Sequence, residues 1–148
     1  MDAAREIENL LYAYAERIDA GDFDGVGDLF AHGRIRSVPE GPPSTVFEGR
    51  ERVRQMYETT TRRYEDGTPK TKHVMTNAQV VVDGERGTAR SYYTVLQSTP
   101  DLSLQPIITG RYHDTFQLLD GVWWFDTRVM HVDQVGDLSQ HLLFALRH

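Results

Sequence analysis

Phe116-Gln117-Leu118-Leu119-Asp120-Gly121-Val122-Trp123-Trp124-Phe125 decides the fold class. Two β-rich runs flank Asp120-Gly121, a dipeptide suited to a two-residue hairpin because its central positions tolerate positive φ. The runs are long: about Leu104 to Leu119 before the turn and Val122 to Val132 after it. A second Asp-Gly signal, Asp83-Gly84, lies between Val80-Val81-Val82 and Thr88-Ala89. A further strand reads from Arg90 to Ser98, with Pro100-Asp101 opening the loop that follows. From Lys72 onward the pattern predicts a four-strand antiparallel meander.

Upstream of Lys72 the period changes to that of helices. Ile7, Leu10, Leu11, Tyr14 and Ile18 recur on one face, predicting a helix from about Ala3 to Asp19 that Gly21 breaks. Asp22 to Phe30 reads as a second, short helix with Asp22 or Asp24 as N-cap. Ile35 to Val38 reads as a short strand and Pro39 to Ser44 as a loop. After Glu48-Gly49-Arg50 a third helix places Val53, Met56, Tyr57, Thr60 and Tyr64 on one face. Helices segregated ahead of an antiparallel sheet predict an α+β domain. A curved sheet around the long first helix would leave an internal cavity. The tail, Leu138 to Leu146, is apolar enough to pack on the body or on a neighbouring subunit.

The chain has 148 residues, one domain spanning 1–148, with no repeat or low-complexity segment. Its formal charge of −6 argues against nucleic acid, which needs a basic face. No apolar run approaches a membrane span, and the N-terminus lacks the apolar stretch of a signal peptide, so a cytoplasmic protein is expected. Cysteine is absent, which excludes disulfides, thiol nucleophiles and cysteine-held metals. The six histidines form no H-x-H or H-x-x-x-H pair, and no phosphate loop or nucleophile elbow appears. Neither a metal nor a cofactor is expected.

Three positions stand out for chemistry. Asp19 follows directly on the apolar face of the first helix, and an inward carboxylate must be paired or mark a polar cavity. The alternative is a helix-end residue turned to water. His73 begins the first long strand, where alternation puts His73, Met75 and Asn77 on one face. Alone it reads as an exposed or hydrogen-bonded edge histidine. With Asp19 as partner, its tautomer would be fixed and its basicity raised. Arg128 shares a face with Trp124, Asp126 and Met130, opposite Trp123, Phe125, Thr127 and Val129. Facing a cavity, it would bind an anion or a polarised oxygen; otherwise it is a surface cation. Tyr92, Trp123 and Phe125 exceed what one small cone can bury, which predicts a homo-oligomer, dimer or trimer, through the outer sheet face and the tail. Asp137 to His141 reads as a capping sequence.

With these residues in view, the chain resembles SnoaL-like proteins of the nuclear transport factor 2-like superfamily. The resemblance rests on Tyr14…Asp19-Ala20-Gly21-Asp22-Phe23-Asp24, on Thr71-Lys72-His73, and on Ile108 to Phe116 with Asp120-Gly121-Val122-Trp123-Trp124-Phe125…Arg128. The last element is widespread in the superfamily and speaks for the cone-shaped fold. The aspartate–histidine pairing is similar to that of scytalone dehydratase, the bile-acid 7-dehydratases and hexachlorocyclohexane dehydrochlorinase. The resemblance implies His73 as base, Asp19 as its orienting partner, Tyr14 as a hydrogen-bond donor to a carbonyl or leaving hydroxyl, and Arg128 at the arginine position of the dehydrochlorinase. The second catalytic histidine of scytalone dehydratase falls at Thr109, with His113 several residues away. The expected activity is a cofactor-independent lyase or isomerase on a small hydrophobic carbonyl or hydroxy compound. Tyr57, Met75, Asn77, Trp124 and Met130 would line its cavity. A non-catalytic binding or assembly domain and a polyketide cyclase are the alternatives.

Overall fold

The computed structural model describes residues 2–144. Helix α1 spans Ala3–Asp19, and Asp2 caps it by accepting from the Arg5 amide at 2.9 Å. Its apolar face, Ile7, Leu11, Tyr14, Ala15 and Ile18, is buried. Helix α2 (Phe23–Leu29) starts at Asp22, whose side chain accepts from the Gly25 amide. Helix α3 spans Gly49–Thr60. It stops before Tyr64 because Thr59 and Thr60 turn their hydroxyls onto helix carbonyls and Thr61 is already extended, bridged to Leu142.

The strands are β1 (Arg34–Arg36), β2 (Val46–Glu48), β3 (Thr71–Asp83), β4 (Arg86–Thr99), β5 (Leu102–Leu119) and β6 (Val122–Val135). They form one sheet in the order β2-β1-β6-β5-β4-β3. The expected meander is its β3–β6 part. The two additions are β2 and the parallel pairing of β1 with β6. The β5–β6 turn has φ of 49° at Asp120 and 79° at Gly121, both positive as the sequence requires. The class is α+β, with α1 lying against β3 inside the sheet's curve. No helix among the described residues is long and apolar enough to cross a membrane.

Two bulges change the faces that strict alternation assigns. On β3 the register shifts between Thr76 and Gln79, and Asn77 takes φ 61°. Asn77 is therefore exposed, on the side away from His73 and Met75. On β6 the register shifts across Asp126, so Phe125 and Arg128 both point inward. Trp124 turns outward onto the His32 ring, 4.7 Å between centroids. Trp123 and Phe125 are buried in the single chain, with Phe125 stacked on Phe30 and against Phe116. They contribute nothing to an outer aromatic face; of the three, only Tyr92 is exposed there.

The tail runs back over the open end of the sheet. Leu143 donates to the Thr60 carbonyl, the Arg62 amide donates to His141, and Gln97 and Tyr64 donate to the Gln140 carbonyl. Leu138 packs on the core, as expected; Ala145 and Leu146 lie outside the described residues.

Candidate active site

Asp19 is the last residue of α1, and the chain must turn there without blocking β3. Gly21, at φ 73°, makes the turn. A Cβ at Gly21 would sit 1.9 Å from the Gly67 carbonyl oxygen, so only glycine lets the segment leading into β3 come this close. That approach sets the start of β3 beside the Asp19 carboxylate. Asp19 Oδ1 lies 2.7 Å from His73 Nδ1 and accepts from the Thr71 hydroxyl at 2.9 Å. Oδ2 accepts from the His73 amide at 2.8 Å. The carboxylate is thus gripped by one ring, one hydroxyl and one amide. An ionised Asp19 can only accept, so the neutral His73 ring carries its proton on Nδ1 and keeps its lone pair on Nε2.

His73 forms part of the wall of a cavity of about 350 Å³ between α1, α3, the inner face of β4–β6 and the tail. Met56, Val95, Ile108 and Met130 supply apolar walls. Leu138, Leu142 and Phe144 close it from the tail. Its polar groups are few, the pattern of a site that orients a largely apolar ligand. Tyr14 and Tyr57 bond to each other through their hydroxyls. Two hydroxyls sharing one hydrogen bond retain one further O–H, and Tyr112 and Arg128 also adjoin the Tyr14 hydroxyl. Burial raises the pKa of both tyrosines, Tyr57 especially, so both remain protonated donors at neutral pH.

Arg128 lies behind this wall. It is fully buried and makes a bidentate pair with Asp114, 2.8 Å from Nε and 2.9 Å from Nη2. Its guanidinium carbon lies 3.7 Å from the Tyr112 ring centroid, 4.3 Å from Tyr14 and 4.9 Å from Phe125. Burial alone would lower its pKa, but the Asp114 carboxylate outweighs burial and the guanidinium stays charged. Burial pushes Asp114 up, and Arg128 pulls it back. Arg128 does not line the cavity, contrary to the expectation that it faces a ligand: carboxylate and rings occupy its faces.

Of the other expected residues, Tyr57 and Met130 line the cavity. Met75 faces inward but packs on the core outside the lining, and Trp124 and Asn77 point away. Two further inward residues are not among those expected at the site. Asp114 carried a signal, an acid alternating with Tyr112 and Phe116 on a strand's inner face. His141 carried none, because only the tail's return brings it to the cavity. It is 8% exposed, and its Nδ1 is buried with no hydrogen-bond partner among the described residues.

The SnoaL-like domain family matches residues 1–129 of the chain. No functionally curated protein matches it. Among solved structures, a provisionally assigned scytalone dehydratase from Novosphingobium aromaticivorans is 21% identical at a TM-score of 0.71, covering 97% of this chain and 88% of that one. A variant of Rv3472, a protein of unknown function from Mycobacterium tuberculosis, is 24% identical at 0.71, covering 88% and 72%. Aln2 from Streptomyces is 19% identical at 0.67, covering 87% and 89%. At these identities the likeness is one of fold.

Proposed function

The chain belongs to the SnoaL-like domain family, and we propose that it is a lyase or isomerase in which His73 removes a proton from a small hydrophobic carbonyl or hydroxy compound. The observation that carries the reading is the 2.7 Å contact between Asp19 and His73 Nδ1 at the wall of an apolar cavity. Asp19 fixes the ring so that Nε2 is the base, and it stabilises the imidazolium that forms. Such a positioned base contributes about 10²–10⁴-fold. The Tyr14–Tyr57 pair donates its spare O–H to an oxygen of the bound molecule. In an elimination, His73 takes the proton, the C–H electrons form the double bond, and the departing oxygen recovers a proton from the imidazolium. In an isomerisation the same proton returns to another carbon.

The test is a panel of cyclic ketones and β-hydroxy ketones. Enone formation is followed by absorbance, and deuterium uptake beside the carbonyl by NMR. The parent should convert or exchange at least one compound, and His73→Ala should lose that activity while still binding it. Undiminished turnover by His73→Ala would retire the base assignment. Tight binding with neither turnover nor exchange across the panel would favour a binding-only domain. Association of copies through the outer sheet face, where Tyr92 and Leu104 are exposed, belongs to the same proposal. Light scattering should give a mass above the 16.9 kDa of one chain.

A further inference from the structure

His141 is the buried titratable group that the mechanism above leaves unused. The tail lays it into the same cavity wall as His73, held by backbone bonds on both sides: its carbonyl accepts from the Arg62 amide at 2.8 Å and its amide donates to Leu138 at 3.1 Å. These bonds fix where the ring stands. A neutral imidazole has one N–H and one lone pair. An orphaned buried donor is rarer in proteins than an under-satisfied acceptor. Nδ1 is the sealed, unpartnered atom, so we assign the proton to Nε2, the ring's other edge.

The ionisable groups around it are His73 and Asp19 at the cavity, and Arg62 and Tyr64 on the segment the tail pairs with. Burial first, and the nearby His73 second, lower the His141 pKa to about 4, with Asp19 opposing weakly. At neutral pH His141 is therefore uncharged, and it stands in the same cavity wall as a histidine of opposite character. His73 is a lone-pair donor backed by a carboxylate. His141, protonated on Nε2, is an N–H donor.

We propose that His141 is the oxygen-holding partner of His73, its Nε2–H donating to the carbonyl oxygen of a cyclic ketone or enone whose neighbouring C–H faces His73 Nε2. The role rests on the proton-transfer reading above, but its readout does not. When His73 takes the proton, the C–H pair becomes the C=C bond of an enolate. The carbonyl π pair moves to oxygen, where the His141 N–H holds the developing charge. No proton leaves His141. A neutral imidazole suits this role because it polarises a carbonyl without competing for the proton. The Tyr14–Tyr57 pair is then free for a second oxygen, such as a departing hydroxyl.

The experiment uses cyclohex-2-enone labelled with ¹³C at the carbonyl. Its bound C=O stretch is read by difference infrared spectroscopy in the parent, His141→Phe, His141→Gln, Tyr14→Phe and His73→Ala. Donation from His141 lowers the frequency in the parent and in the glutamine variant, which keeps an N–H, and the lowering is lost in His141→Phe. His73→Ala should retain it, so loss of the base would leave this result standing. Removing one such donor should cost about 10²–10³ in kcat. The same bound frequency in His141→Phe and parent, or a shift lost only in Tyr14→Phe, would overturn the assignment. So would failure of the enone to bind at millimolar concentration. Ring-nitrogen NMR of the free parent gives an independent check: His141 should be neutral at pH 7 with its proton on Nε2, and an Nδ1–H tautomer refutes the proposal.

Discussion

Asp19 and Asp114 each hold a nitrogen base, His73 at 2.7 Å and Arg128 at 2.8 Å. The side chains of the second pair are 0% exposed on both partners, whereas the first retains 17% at Asp19 and 8% at His73. The sealed pair spends both carboxylate oxygens on one guanidinium, and rings of Tyr112, Tyr14 and Phe125 cover its faces. The open pair divides its carboxylate among one imidazole edge, the Thr71 hydroxyl and the His73 amide, and leaves the ring's other edge uncommitted. The third guanidinium nitrogen of the sealed pair, Nη1, is buried without a hydrogen-bond partner among the described residues, but it carries no lone pair, so that ion pair can support the wall and cannot accept a proton. One with a nitrogen lone pair free on a cavity can move a proton. Sequence alternation alone does not separate these cases, because His73 and Arg128 both read as a polar residue on one face of a strand.

The largest effect should come from opening the sealed pair. Arg128→Met leaves Asp114 buried without its counter-charge, which should cost about 3–5 kcal/mol of stability, read as a lower urea midpoint. Adding Asp114→Leu should restore most of that loss, because an apolar replacement of a whole buried pair is often neutral or stabilising. If Arg128→Met instead unfolds like the parent but loses ligand binding, Arg128 belongs to the ligand and the distinction between the pairs fails.

His73→Ala should do the reverse: turnover falls by about 10²–10⁴-fold while the urea midpoint barely moves. Asp19→Asn should follow it in rate, since an amide cannot stabilise the imidazolium. Its cost in stability should be larger than that of His73→Ala, because the carboxylate also accepts from Thr71 and the His73 amide.

Acid should separate the two regions next. The folded pKa of His141, about 4, lies below its ordinary 6.5. The unfolded chain therefore binds a proton between these values while the folded one does not. The stability involved is complete above pH 6.5 and falls by about 3 kcal/mol as the pH drops through 4. His141→Leu should flatten that part of the pH–stability curve. Asp114 has the opposite sign: its folded pKa is raised, so protonation at low pH favours the folded state. A parent whose stability is level from pH 7 to 4.5, matching His141→Leu, would contradict a buried neutral His141.

Much of this was legible in the residues. Asp120-Gly121 forms the β5–β6 turn, the β3–β4 turn falls at Gly84-Glu85, one residue beyond the Asp83-Gly84 signal, and the first helix ends at Asp19 as its apolar period and Gly21 require. The dyad followed from the need of an inward carboxylate for a partner. Alternation misplaces Asn77 and Trp124 because it assumes an unbroken period: one bulge lies at Asn77 itself and another at Asp126, between Trp124 and the inward Arg128, and nothing in Thr76 to Gln79 or at Asp126 announces either. The short strand Val46–Glu48 has too few residues to show a period and forms only against β1. His141 reaches the site through the Thr61–Leu142 bridge, a contact 81 positions apart in sequence that no local pattern encodes.

Tyr14 belongs to both regions, and its smaller effect probes the boundary between them. The hydroxyl bonds Tyr57 at the cavity, while the ring covers the Arg128 guanidinium. Tyr14→Phe removes only the first contact. Its stability cost should be about 1 kcal/mol, the net worth of one hydrogen bond. Its kcat should fall by roughly tenfold, because Tyr57 keeps a hydroxyl that donates alone. Tyr14→Leu also strips the ring from the guanidinium and opens space beside it, so it should lose a further 2–4 kcal/mol or so of stability. The two variants should then differ strongly in urea midpoint and little in rate. If Tyr14→Phe leaves kcat untouched while Tyr14→Leu lowers both, the tyrosine serves the sealed pair alone, and the contact to a ligand oxygen falls to Tyr57 or His141.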